Sequence, residues 1–133
     1  MGDMTRTALP PIEPALPRNL EADLPPLREE RDEGAWHVFP LEGALELAYR
    51  DVAGNRTRRR LSARELKVGP GRMLLGGVDW RSAGYRGFRA DRVDWLRDLE
   101  TGDLVRRNVV DWLLKRAQSQ VRARRKAART AAA

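Results

Sequence analysis

The stretch Leu45-Glu46-Leu47-Ala48-Tyr49-Arg50 decides the fold class, because Leu45, Leu47 and Tyr49 alternate with smaller or polar side chains. This period of two is typical of a half-buried β-strand. Residues 51–55 contain Asp, Gly and Asn, which favour a turn, and residues 56–61 alternate again. The stretch therefore predicts a β-hairpin whose second strand has Arg56, Arg58 and Arg60 on one face.

Further strand patterns lie towards the C-terminus. We expect one helical turn from Ser62 to Leu66 before Gly69-Pro70-Gly71 interrupts the chain. Residues 73–78, 85–93 and 95–99 are then predicted as three more strands, separated by turns. The fold class expected is mainly β: a small five-stranded Sm-like barrel with a C-terminal helix and a disordered N-terminal arm.

The two ends of the chain differ from this middle part. Six prolines and scattered charges before residue 27 predict a disordered, proline-rich acidic arm over residues 1–33. Val109, Trp112, Leu113 and Arg116 recur at helical spacing, with Asn108 as the predicted N-cap, and a frayed basic tail should follow. The expected division is an arm over 1–33, a barrel over 34–105, and an amphipathic helix with a basic tail over 106–133.

Composition restricts the classes of function. The chain has no cysteine and one histidine, His37, so thiol chemistry and a paired zinc site are excluded, and we expect neither a cofactor nor an enzyme. No apolar run reaches the ~20 residues that span a bilayer, which predicts a cytoplasmic protein without membrane contact. The net charge of +7 is polarised: residues 1–33 hold eight acidic side chains, and residues 115–133 hold seven basic ones. A basic surface of this kind favours polyanions, and nucleic acid above all.

One block near the end of the barrel segment, Arg86-Gly87-Phe88-Arg89-Ala90-Asp91-Arg92-Val93, resembles the R-x-F-R-x-D-R-[IV] signature of the WYL domain of bacterial regulators. Residues 45–51, Gly54, Thr57, Arg59 and Leu66 match the same domain in order and spacing. The triplet that names the family is replaced by Arg72-Met73-Leu74, and a proline-rich arm stands where members often have a helix-turn-helix. The resemblance implies a stand-alone Sm-like barrel that senses nucleic acid or nucleotide ligands.

The resemblance also implies a binding site for nucleic acid or a nucleotide. The candidate residues are Tyr49, Arg59, Arg72, Arg86, Phe88, Arg89 and Arg92. Arginines would pair with phosphates, and the two rings would stack on bases. The alternatives are that Phe88 belongs to the core and that Arg86 and Arg92 form ion pairs with Asp91, Asp94 or Asp98. Arg86 and Arg92 can share a ligand with Arg89 only if their strand is bulged or strongly twisted.

These observations predict a regulatory module that binds nucleic acid or a nucleotide and acts in transcription or defence through a partner chain. The expected partners are that ligand and a second protein, with a homodimer as a further alternative. The competing hypothesis is a protein–protein adaptor whose acidic arm covers the basic face of the barrel. Salt dependence separates the two, because phosphate contacts lose affinity steeply as salt rises.

Overall fold

The computed structural model describes residues 24–132, which form a mainly β domain with one long helix. The chain runs through seven strands, a single 3-10 turn and the helix, in this order: β1 (Arg31–Glu33), β2 (Trp36–Arg50), β3 (Arg56–Gly69), β4 (Arg72–Asp79), β5 (Tyr85–Arg89), the 3-10 turn (Ala90–Arg92), β6 (Val93–Asp98), β7 (Leu104–Val105) and α1 (Val109–Ala132). Within the described residues, no helix is long and apolar enough to cross a membrane.

The strands form one antiparallel sheet in the order β5-β4-β3-β2-β6-β7, and β1 pairs with the first part of β2. The expected five-stranded closed barrel is therefore wrong: the sheet is open and has seven strands. The predicted strand over 85–93 breaks at Arg89, since Ala90–Arg92 turns into a 3-10 helix and interrupts the strand pairing. At this point, a side chain bridges to β5, because the Tyr49 hydroxyl accepts a hydrogen bond of 3.2 Å from the Arg89 N–H.

Strand β3 is longer than predicted. The turn expected from Ser62 to Leu66 is absent, and β3 continues without a break to Gly69. A register shift falls between Ala63 and Glu65 on the β4 side, and another falls between Pro40 and Gly43 on the β2 side. Such bulges bend a sheet, so the long strands β2 and β3 can curve while they stay paired with their neighbours.

The described part of the N-terminal arm is ordered against the sheet. Its residues Arg31–Glu33 form β1, which corrects the expectation of disorder up to residue 33; residues 1–23 lie outside the described part. Close contacts of His37 with Asp32 and Glu30 fasten this segment and raise the pKa of the imidazole. Arg125 of α1 donates to Glu30 at 2.7 Å, which ties the arm to the helix.

Helix α1 covers the interior face of the sheet, where the core lies. The predicted short helix with a frayed tail is wrong, because α1 continues for 24 residues. Ala117 and Val121 are buried and extend the contact of Leu113 with the sheet. The Gln120 carboxamide pairs with both the N–H and the carbonyl of Glu42, which lie at the β2 bulge.

The buried carboxylate of Asp98 joins the last strand pair to α1. Burial disfavours its charge, but hydrogen bonds from the Glu100 N–H, the Arg116 guanidinium and the Thr101 N–H lower its pKa overall. The Arg116 bond is 2.8 Å long, and this guanidinium also lies over the Trp112 ring at 4.5 Å.

Candidate functional site

Two of the arginines predicted from the sequence meet at Asp79, where β4 ends. Arg59 Nη1 lies 3.5 Å and Arg86 Nη1 lies 3.7 Å from Asp79 Oδ2, and the carboxylate is 2% exposed. The same carboxylate accepts hydrogen bonds from the Ser82 hydroxyl at 3.1 Å and the Arg81 N–H at 3.4 Å. This partner differs from the aspartates named in the sequence analysis. Asp79 organises the turn after β4, and the two guanidinium groups add to that role.

The two predicted ring platforms belong to the core. Phe88 is 4% exposed and packs edge to face with Tyr49, with ring centroids 5.1 Å apart. The Tyr49 hydroxyl is occupied by the Arg89 N–H. The alternative interpretation of Phe88 as a core residue is therefore the one that the packing supports, and Tyr49 is partly buried against the same core.

The remaining predicted arginines lie apart from the Asp79 cluster. β5 pairs regularly with β4 through Arg89, so Arg89 points to the opposite face from Arg86, and it forms an ion pair of 2.8 Å with Asp91. Arg92 lies in the 3-10 turn and makes no ion pair within residues 24–132. Arg72 lies 5.4 Å from the centre of the Trp36 ring. The seven predicted residues thus occupy several places and form no single pocket.

A different cluster lies on the exterior face of the sheet, opposite α1. At its centre is Glu46, whose side chain is 2% exposed in the middle of β2. Its carboxylate lies 3.5 Å from Arg58 Nε, 3.4 Å from Arg60 Nε and 3.6 Å from Arg97 Nε. One carboxylate thus holds three guanidinium groups side by side, two from β3 and one from β6.

Strand register creates this arrangement. Glu46 stands directly opposite Arg60 on β3 and Arg97 on β6, and Arg58 lies two residues along β3. Directly opposite side chains share a face of the sheet, so the three arginines surround the carboxylate. Ala48, between Arg58 and Trp95, is small and leaves the space that both large side chains fill.

Two tryptophans border the arginines. Arg58 lies 5.5 Å from the centre of the Trp95 ring, and Arg60 lies 5.8 Å from that of Trp80. The Trp80 indole N–H donates to the Ser62 hydroxyl at 3.0 Å, which fixes its ring. We call this surface the arginine–tryptophan face; it comprises Arg58, Arg60, Trp80, Trp95 and Arg97 around Glu46.

The face continues at one end with two further arginines. Arg50 and Arg56 share Asp94, at 3.1 Å and 3.7 Å. The whole surface therefore has five arginines against two carboxylates, an excess of three positive charges. Arg56 and Arg97 keep 71% and 40% of their side chains exposed, so part of this charge is open to a ligand.

The sequence pattern indicated part of this surface. Alternation predicted Arg56, Arg58 and Arg60 on one face of β3, and in the structure Glu46 contacts Arg58 and Arg60 together. Trp80, Trp95 and Arg97 were missed as candidates. The only signal for them was the excess of like charge on β3, which requires companions on the neighbouring strands.

Comparisons with known protein families, curated proteins and solved structures found no match to this chain. The resemblance of residues 45–93 to the WYL domain therefore stays a prediction. Support for a function comes from the geometry of the described residues.

Proposed function

We propose that this protein is a nucleic-acid-binding module and that the arginine–tryptophan face is its binding surface. The observation that carries the proposal is the placement of three guanidinium groups beside two indole rings around one buried carboxylate. Arginine offers paired donors that match phosphate oxygens, and indole rings stack on bases of any sequence. The surface combines both kinds of contact on a rigid sheet.

The buried carboxylate brings the three arginines together and offsets one of their positive charges. Each of the three contacts to Glu46 uses the Nε side of the guanidinium. Arg97, whose side chain is 40% exposed, offers the most accessible guanidinium of the three to a phosphate oxygen.

We further propose a regulatory role exerted through a partner chain, in transcription or defence, as the WYL resemblance implies. The described part of the acidic arm contacts Arg125, His37 and Lys67, which lie outside the arginine–tryptophan face. The competing hypothesis is a protein–protein adaptor whose acidic arm covers the basic face, and absence of nucleic-acid binding would favour it.

The test is binding of fluorescent single-stranded DNA, duplex DNA and RNA at two salt concentrations. Wild-type protein should bind, with affinity falling as salt rises. Trp95→Ala should weaken binding about 5- to 100-fold if the ring stacks on a base, and Trp95→Phe should recover most of it. Trp36→Ala is the matched control, because Trp36 also lies beside an arginine but outside the face. Absence of binding, or equal losses at Trp36 and Trp95, would overturn the proposal.

A further inference from the structure

A second basic surface surrounds a small cavity at the other end of the sheet. The cavity has a volume of about 260 Å³ and lies between the N-terminal segment and strands β3 and β5. Four cationic side chains and two carboxylates line it, together with Tyr85: Arg28, Arg31, Arg64, Lys67, Glu33 and Glu65. None of these residues belongs to the arginine–tryptophan face.

Arg64 is the unusual residue of this cavity. The register of β3 with β4 shifts between Ala63 and Glu65, so Arg64 is the extra residue of a bulge on that side, a device that redirects a side chain. Its Nε is buried and has no hydrogen-bond partner among the described residues. A buried donor without an acceptor is costly, and such a group in a native structure is often satisfied by an ion or ligand.

The other cations of the cavity are already paired with carboxylates. Arg31 donates to Glu33 at 2.6 Å and to Glu65 at 3.0 Å, and Lys67 lies 3.4 Å from Glu33. The Tyr85 hydroxyl donates to the other oxygen of Glu65 at 2.6 Å. Arg28 also lies 3.8 Å from Glu33. The two carboxylates are therefore used by the other cations and Tyr85, and within residues 24–132 no carboxylate forms an ion pair with Arg64.

The position of Tyr85 depends on a glycine of β4. A Cβ added at Gly76 would lie 2.6 Å from the Tyr85 hydroxyl, so a side chain there would push the tyrosine ring away from Glu65. Burial and the bond to Glu65 raise the pKa of this hydroxyl. Arg64 lines the same cavity as Tyr85.

We infer that this cavity binds a phosphate monoester, with Arg64 as the main ligand-binding residue and Arg28 and Lys67 at its rim. A guanidinium fork matches two phosphate oxygens, and the volume suits a phosphate with a sugar rather than a helix or a duplex. The monoester is either a free nucleotide or the 5′-phosphate of a strand. This cavity shares no residue with the arginine–tryptophan face, so phosphate binding here is independent of nucleic-acid binding there.

The test uses the full chain with inorganic phosphate and with AMP, followed by NMR or calorimetric titration. Arg64→Gln should weaken binding about tenfold or more, whereas Arg107→Gln, a matched loss of one exposed arginine outside the cavity, should leave it unchanged. Glu65→Gln should strengthen binding about threefold, because it removes a competing negative charge but keeps an acceptor for Tyr85.

Two outcomes would overturn the inference: no saturable binding by either probe, or equal affinities of the Arg64→Gln and Arg107→Gln variants. If Arg64→Gln fails to fold, the Glu65→Gln variant decides, and an unchanged affinity there contradicts the site. Oligonucleotides with a 5′-phosphate or a 5′-hydroxyl distinguish the two sources. A gain from the 5′-phosphate that Arg64→Gln abolishes supports a strand end, and binding of AMP without that gain supports a free nucleotide.

Discussion

Two arginine clusters in this protein are built around buried carboxylates, and they differ in what else the carboxylate binds. Asp79 ends β4 and accepts hydrogen bonds from Ser82 and a backbone N–H of its own turn. Its carboxylate therefore has hydrogen-bond donors even without an arginine. Glu46 lies in mid-strand, and among the residues that the structure describes its carboxylate contacts arginines only. Asp79 stabilises the backbone of its turn, whereas Glu46 holds arginine side chains close together. The Glu46 cluster has the larger surplus of positive charge, with three arginines around one carboxylate against two around Asp79.

The largest effect should come from removing the organising carboxylate. Glu46→Gln keeps the shape but leaves three close guanidinium groups without a counter-charge, and we expect a loss of about 3 kcal/mol in the free energy of unfolding. Affinity of the folded variant for nucleic acid at low salt should rise about threefold, because the face gains one positive charge. Urea unfolding and anisotropy measure the two quantities. Weaker binding by the folded variant would show that Glu46 positions the arginines more than it neutralises them.

The corresponding change at the other cluster should be milder. Asp79→Asn retains an oxygen for Ser82 and the turn N–H, so we expect a loss of about 1 to 2 kcal/mol in stability. Nucleic-acid affinity should stay unchanged, because this carboxylate lies outside the arginine–tryptophan face. If Asp79→Asn strengthened binding as Glu46→Gln does, the two clusters would share one ligand and would not differ in role.

Asp98 extends the comparison, since it resembles Asp79 in accepting turn N–H groups and adds Arg116 of α1. The pKa of Asp98 is lowered in the folded protein despite burial. The stability that its charged form provides is therefore fully present above the pKa of the unfolded chain, near 3.8, and is lost as the pH falls through the pKa of the folded protein. Urea unfolding between neutral and acidic pH should therefore show a shallower loss of stability for Asp98→Asn than for the wild type. Equal slopes would mean that Asp98 does not couple to folding in this way.

The smallest effect on nucleic-acid binding is expected at the arginines of the WYL-like signature. Arg86→Ala and Arg92→Ala test the site predicted from the WYL-like signature, and on the observed geometry each should weaken nucleic-acid binding by less than about twofold. The reason is that Arg86 serves Asp79 and Arg92 lies in the 3-10 turn. A loss of tenfold or more at either position, with the fold intact, would restore the predicted site. Far-UV circular dichroism controls for folding.

Local patterns predicted the hairpin of β2 and β3, the strand β4 and the cationic side of β3, because alternation of side chains is a property of a single strand. The open sheet was not predictable in this way, since its strand order depends on pairing between segments that are distant in sequence. The length of α1 was underestimated because Ala117 and Val121 are stabilised by contact with the sheet rather than by an apolar stripe of their own. Trp80 and Trp95 belong to the arginine–tryptophan face because of pairing across strands, which sequence spacing does not reveal.

Binding of nucleic acid to the exterior face can be tested with neighbouring arginines that lie on opposite faces of β3. Two double variants remove the same charge: Arg58→Gln with Arg97→Gln on the exterior, and Arg59→Gln with Arg86→Gln beside Asp79. The measurement is the slope of log affinity against log salt concentration for each variant and the wild type. We predict that the exterior pair reduces the slope by about 1 to 2 and that the Asp79 pair leaves it unchanged. The reverse result, or equal reductions from both pairs, would rule out the exterior face as the binding surface.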